Sequence, residues 1–457
     1  MTSVREKRDV PRDVLRRRTV TWIVALATVG LVFDGYDLVV YGTVLPQFLR
    51  DPSQIGAVTP ATGGALGSYA LIGVLVGALL AGSVGDIIGR RKVMLTAYAW
   101  FSVGMGLTAV TTTTTLFGLL RFGTGIGVGA LVATTGALVA EFAPKGRKNL
   151  CNAITYSGVP LGSLLAALLA ILLLESVGWR GMFLIGALPL VTLLPLALFA
   201  MPESPAWLLA RGRVEEARAV ADRTGVVLDE KPAATPDAPA ERERAGFAGL
   251  LSRSYLLPTI LLGLLSAVGL LLVYALNTWL PELMGRAGYS TKGSLAFLLV
   301  LNGGAVVGAV IASRVADRVG PKPVVAGSFL LGAVAIALLT VSFPVGLLLA
   351  FIAVVGLGTS GTQILIYGFV ATYYRTSVRG AGVAWCAGFG RLGGIGGPLI
   401  GGLLIASGLA LNSIFYVLTV LAVVGALLTV VVPKTARPAA PVPAPANPDV
   451  LPDPAVG

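Results

Sequence analysis

Apolar positions run in long stretches broken by short polar segments, and this pattern continues along almost the whole chain. A helix of about 20 mostly apolar residues is needed to cross a bilayer. On that rule the sequence predicts twelve spans, at residues 19–46, 60–84, 92–110, 116–141, 152–174, 181–201, 256–280, 293–315, 323–342, 345–373, 381–404 and 409–432. They must be helices, because the lipid core offers no partner for free backbone groups. The longest polar stretch, 202–254, leaves six spans on either side, in bundles expected at 19–201 and 255–432. Within it, Trp207 to Ala221 reads as one short amphipathic helix at the membrane surface. Asp229 to Ala245, rich in Pro, Ala and charge, reads as a flexible tether. The tail at 433–457 carries eight prolines and is expected to be disordered. The first 18 residues are basic and lead straight into a full-length span, so no cleaved signal peptide is expected.

Composition sharpens this picture. Only 12% of residues are charged, against about 25% in soluble domains. The net charge is +12, and its placement decides its meaning: with the N-terminus inside, 28 of the 34 Lys and Arg fall in cytoplasmic segments. The outer loops hold Arg50, Arg180, Arg286 and Lys292, while Arg121 and Arg391 lie inside spans. That bias predicts cytoplasmic termini, as in a multi-pass protein of the bacterial inner membrane. Basic residues confined to short loops between apolar runs argue against a nucleic-acid partner and for a lipid bilayer. The two cysteines, Cys151 and Cys386, fall near cytoplasmic helix ends, so no disulfide framework is expected. Histidine is absent, which removes histidine metal sites and histidine proton relays. With no Walker-type loop and no nucleophile–base constellation, neither an ATP-driven pump nor an enzyme is expected. The reading carries no cofactor and no metal, and takes the chain as a monomer.

The halves echo each other. Residues 82–92 read GSVGDIIGRRK and residues 313–323 read SRVADRVGPKP, which aligns Asp86 with Asp317 and Gly89 with Gly320. Arg147, Gly158 and Gly162 likewise find counterparts in Arg379, Gly390 and Gly394. Parallel six-helix repeats suit alternating access by rocking of two bundles. GSVGDIIGRRK resembles the loop motif between spans two and three of the major facilitator superfamily, and its second copy falls between spans eight and nine, as in that family. PESPAWLLARGR, after span six, resembles the segment of its metabolite importers. The chain departs from the pattern at Ile87 and Pro321, where a basic residue is usual, and at Ala206, where Arg is common. The resemblance covers about residues 19–432. It implies an all-α fold of twelve transmembrane helices in two pseudo-symmetric bundles. Asp86, Arg90, Arg91, Asp317 and Arg318 are read as a conformational latch rather than a substrate site.

Ionisable groups inside spans are costly, roughly 2.5–3.5 kcal/mol each at the centre of an inserting helix. The chain places few there: Asp34 and Asp37 in span one, Arg121 in span four, Arg391 in span eleven, and Glu141 at the inner end of span four. Asp34, Asp37 and Tyr41 share a helix face, which must look into the bundle. FDGYDLVVYGTVLP resembles the span-one signature of the aromatic acid:proton symporters, and AWCAGFGRLGGIGGP their span eleven. That resemblance implies a transport role for Asp34 and Asp37. Without histidine the proton carrier must be a carboxylate, and these two are best placed. Arg391 is suited to bidentate carboxylate binding. It serves either a substrate carboxylate or, internally, Asp34 or Asp37. Arg121 opens RFGTGIGVG, which resembles the span-four motif of proton-coupled members; it forms a buried ion pair or takes part in coupling. Glu141, in AEFAP, fits the same motif or is an interfacial carboxylate capped by Lys145 or Arg147.

Tyr36, Asn277, Trp279, Asn302, Gln363 and Tyr367 are candidates to line a cavity. Alternatively, Trp279 and Tyr374 serve as interface anchors, and Asn302 and Gln363 as helix-to-helix hydrogen bonds. The resemblance implies proton-coupled import of small aromatic carboxylates such as benzoate, hydroxybenzoates, protocatechuate or gentisate. An aliphatic or sugar acid is the alternative cargo. Exporters of the fold carry Gly-Pro-x-x-Gly-Gly in span five; here span five reads TYSGVPLGSLLAALL, and the element stands in span eleven as GPLIGG. A membrane sensor or scaffold would not need charge at the midplane of both halves.

Overall fold

The computed structural model describes residues 12–144, 147–226, 228 and 246–433. Lys145, the Asp229–Ala245 tether, the tail beyond residue 433 and the first eleven residues lie outside the described residues. Described regular structure is helical, with no strand among the described residues. The first half comprises α1 (Arg12–Arg50), α2 (Pro60–Ile88), α3 (Arg90–Ala109), α4 (Thr114–Phe142), α5 (Lys148–Tyr156), α6 (Gly158–Gly186) and α7 (Leu193–Ala200). Two short helices follow, α8 (Pro205–Ala210) and α9 (Val214–Thr224), then α10 (Phe247–Leu250). The second half comprises α11 (Leu256–Arg286), α12 (Thr291–Val319), α13 (Pro321–Leu338), α14 (Val345–Gly356), α15 (Thr362–Tyr373), α16 (Thr376–Ala406) and α17 (Leu411–Val431).

Among the described residues, ten helical segments are long and apolar enough to cross a membrane. The third crossing is α3, whose Arg-Arg-Lys first turn lowers its hydropathy. The sixth differs from the single span expected at 181–201. The chain reverses at Gly178 (φ 65, ψ 179), inside α6. The return leg is then assembled from the end of α6, a 3-10 turn at Leu188–Leu190 and α7. Pro189 and Pro195 explain the breaks, since each removes a backbone donor that a continuous helix needs. The expected surface helix at Trp207–Ala221 is likewise two helices, parted where Gly212 adopts a positive φ of 72°. Span ten is continuous only through a π turn at Leu357–Gly361, between α14 and α15.

Within the first half, glycine brings backbones together. A Cβ at Gly35 would collide with Val159 O, and one at Gly162 with Val32 O, so α1 and α6 touch main chain to main chain. The same happens between α2 and α4, at Gly73 against Phe122 O and Gly129 against Val74 O. Such contacts suit lipid, where helix association rests on close packing rather than on hydrophobic burial.

The halves meet along α1 with α11, α2 with α16 and α6 with α12. The contacts between them cluster toward the face opposite the described chain ends, here called the far face. Gly42 abuts Asn277 O, a Cβ on Gly402 would come to 2.5 Å from Pro60 O, and Ser68 Oγ donates to Ile395 O at 2.7 Å. Ion pairs bind the same rim: Arg50 reaches Glu282 at 3.4 Å and Lys292 reaches Glu175 at 2.8 Å. In the α1–α2 loop, Asp51 accepts from Gln54 Nε2 at 2.5 Å and from Ser53 N at 3.0 Å. These bonds hold its carboxyl below the usual carboxylate range.

Candidate functional site

The face carrying Asp34, Asp37 and Tyr41 looks into a central cavity of ≈ 170 Å³ between the halves. Arg391 enters it from the other side, midway along α16. Asp34 and Arg391 lie within electrostatic reach of one another, yet among the described residues no direct ion pair joins them. A gap therefore separates a carboxylate of one half from a guanidinium of the other. Apart from Arg121, the wall contributed by α2 and α4 is aliphatic, with Ala70, Leu71, Val74, Val128 and Val132. Tyr274 and Thr278 of α11 close the opposite side.

Asp37 behaves differently from its neighbour. Its carboxylate is bound directly by Arg121 Nη1, with both side chains buried. The Arg121 guanidinium also lies over the Tyr41 ring at 5.5 Å and the Phe183 ring at 5.9 Å. Both signs of charge are thus supplied by the first half alone. Desolvated charges of this kind persist only when paired and packed.

The remaining candidates divide. Tyr36 is buried away from the cavity lining, and its hydroxyl donates to Met182 O at 2.7 Å. Tyr41 contributes its ring to the cavity, while its hydroxyl is spent on Gly63 O at 2.6 Å. Asn302 Nδ2 donates to Asn277 Oδ1 at 3.0 Å, and Gln363 Nε2 to Ser266 Oγ at 3.1 Å, so these amides tie helices together. Trp279 is no membrane-surface anchor: it is 1% exposed and donates to Pro398 O at 2.8 Å. Tyr374 is also buried, with its hydroxyl 2.8 Å from Thr259 Oγ1. Tyr367 is half-buried on α15 and lies outside the cavity lining. Sequence reasoning missed Tyr274 and Thr278. The available signal was their i, i+4 spacing in an otherwise apolar span.

The family model described as Major Facilitator Superfamily matches residues 25–315 and 291–454. The chain belongs to the major facilitator superfamily. It is 34% identical over 411 residues to the benzoate transport protein of Acinetobacter baylyi, covering 88% of this chain and 87% of that one. It is 35% identical over 402 residues to the gentisate transporter of Corynebacterium glutamicum, covering 87% and 84%. Among solved structures, the D-xylose-proton symporter superposes with a TM-score of 0.71 at 20% identity, over 91% of this chain and 98% of that one. At that identity the likeness concerns the fold. The relatives are transporters, and this member of the superfamily is not an enzyme.

The loop motifs of this superfamily member are unequal. In the first copy, Arg90 Nε lies 2.9 Å from Glu141 Oε1, and Asp86 is 3.9 Å from Arg90 Nη2. Arg91 donates to Met201 O at 2.6 Å and Leu198 O at 2.7 Å, and its backbone N–H donates to Glu203 at 3.0 Å. Glu141 thus belongs to this cluster rather than to the cavity, and its partner is Arg90 instead of Arg147. The second copy is looser. Asp317 and Arg318 are exposed, and among the described residues neither has an ion-pair partner. Pro321 occupies the place of Arg90, and Lys322 donates to Val432 O at 2.5 Å. Cys151 and Cys386 are free and buried.

Proposed function

We propose that this protein is a proton-coupled symporter that imports small aromatic carboxylates across the bacterial cytoplasmic membrane by alternating access. The observation that carries the reading is the cavity between the halves, charged at Asp34, Asp37, Arg121 and Arg391 and otherwise aliphatic along α2 and α4. A cavity of ≈ 170 Å³ is on the scale of the roughly 150 Å³ that accommodates benzene in an engineered protein core. It therefore suits one aromatic ring. The substrates in the names of the two relatives, benzoate and gentisate, are single-ring carboxylates, which supports the same class here.

In this reading Arg391 grips the substrate carboxylate and Asp34 carries the proton. Asp37 and Arg121 form the fixed pair beside them. One proton moving with one monoanion transfers no net charge, so uptake should follow the pH gradient and ignore voltage. The bundles at 19–201 and 255–432 rock about the site, the loop at 202–254 links them, and the Arg90–Glu141 cluster steadies the first half. Both termini and that loop are cytoplasmic, on the 28-to-4 distribution of basic residues. Reporter fusions to the C-terminal tail should be active only in cytoplasmic mode; activity only in the periplasm would overturn this orientation. The function is tested by uptake of labelled benzoate and gentisate into proteoliposomes, with pH gradient and voltage imposed separately. Accumulation should require the pH gradient. No uptake of any aromatic acid in active, oriented vesicles would sink the reading.

A further inference from the structure

Two hydroxyls facing the cavity are left unused by the protein. Tyr274 and Thr278 stand four residues apart on α11, hence on one face, and both line the cavity. Gly394 and Gly397 make room for the tyrosine. Its ring carbons come to 3.0 Å from where a Cβ on Gly394 would sit, and its Cβ to 3.2 Å from one on Gly397. The phenol stands within electrostatic reach of Arg391, Asp34 and Tyr367. Thr278 is 5% exposed. Among the described residues neither hydroxyl has a hydrogen-bond partner, and neither is sealed off from the cavity.

Other buried hydroxyls without a partner, those of Ser102 and Thr135, lie outside the cavity lining. Thr124 and Thr134 of α4 donate back to Leu120 O and Ala130 O, at 2.7 and 2.8 Å, as hydroxyls in apolar surroundings commonly do. Tyr36 and Tyr41 have also found carbonyls. Polar groups in such surroundings are costly unless satisfied, so a free pair aimed at a cavity is placed for what enters it. Opposite, the lining from α2 and α4 is aliphatic except for Arg121, which is bound to Asp37 and offers only donors, so no side chain there accepts from a ring hydroxyl. A phenolic substituent both donates and accepts, which matches a tyrosine and a threonine hydroxyl on residues about 6 Å apart along the helix axis.

We propose that Tyr274 and Thr278 set a preference for ring-hydroxylated over unsubstituted aromatic carboxylates, bonding the ring hydroxyl while Arg391 holds the carboxylate. The proposal rests on the aromatic-acid reading above. It is tested by measuring apparent affinities for benzoate and for 3- and 4-hydroxybenzoate in wild type, Tyr274→Phe, Thr278→Val and the double variant. The ratio of affinities within each variant is the readout. It should fall about three- to tenfold against the hydroxylated acid in each single variant, the worth of one hydrogen bond, and further in the double. Thr278→Ser, which keeps the hydroxyl, should preserve the ratio. A second measurement needs no variant: wild type should favour hydroxybenzoates over fluorobenzoates, whose substituent cannot donate. Unchanged ratios in all variants, or no preference for hydroxyl over fluorine, overturn the assignment of Tyr274 and Thr278 while leaving aromatic-acid transport intact. Failure of wild type to take up any aromatic acid overturns both.

Discussion

Asp34 and Asp37 sit one helical turn apart on the same face of α1, yet they face opposite circumstances. Asp37 is closed into a direct, buried pair with Arg121, and both partners come from the first half. Asp34 looks across a cavity toward Arg391 of the second half without touching it. In the proposed alternating access, a pair made within one half is preserved as the halves move, whereas a charge relation across the seam changes with movement and with ligand. Under the proposed function, the comparison teaches that intramembrane charge has two uses here, one to hold a bundle together and one to respond.

The largest effect should come from opening the fixed pair. Arg121→Ala leaves the Asp37 carboxylate buried without its partner, a loss of about 3–5 kcal/mol. Folded protein recovered from membranes should fall sharply, and Arg121→Ala with Asp37→Asn should restore part of it. Full yield and unchanged thermal unfolding in the single variant would show that Arg121 is not structural. Next comes Arg391→Lys, which keeps the charge but loses the planar fork that grips a carboxylate. It should insert and fold normally while losing most transport, at least tenfold in apparent affinity; wild-type affinity would remove Arg391 from the substrate site. The narrowest effect belongs to Asp34→Asn. This variant should lose pH-driven accumulation but still exchange labelled for unlabelled substrate at equal concentrations. Asp37→Asn should instead lower stability together with both activities. Concentrative, pH-driven uptake surviving in both aspartate variants would end the proton assignment.

Much of this was legible in the sequence because lipid is a strict solvent. Runs of apolar residues located the crossings, and the scarcity of charge inside them pointed to Asp34, Asp37, Arg121 and Arg391. Partner choice was not legible. Spacing along a chain does not say that Arg121, rather than Arg391, meets Asp37, since that depends on which helices become neighbours. Tyr36 was misplaced for a geometric reason: two residues from Asp34, it points about 200° around an α-helix, away from the face that carries the aspartates. Trp279 looked like a surface anchor because it lies near a helix end, but the seam with α16 buries it against Pro398. Tyr274 and Thr278 carried no charge to attract notice. The sixth crossing was read as one helix because hydropathy does not register the backbone donors that Pro189 and Pro195 remove.

The far-face seam has a mechanical consequence. Where α1 meets α11 and α2 meets α16, several contacts are glycine against a carbonyl, as at Gly42 with Asn277 and Gly402 with Pro60. Side chains at those points do not interlock like cogs. Smooth surfaces can part without waiting for rotamers to change, so friction should arise chiefly from the few tethers bridging the rim, Arg50 to Glu282, Lys292 to Glu175 and Ser68 to Ile395. Such a joint resembles a magnetic clasp more than a zipper: it shuts firmly, yet a small number of discrete attachments governs how fast it opens.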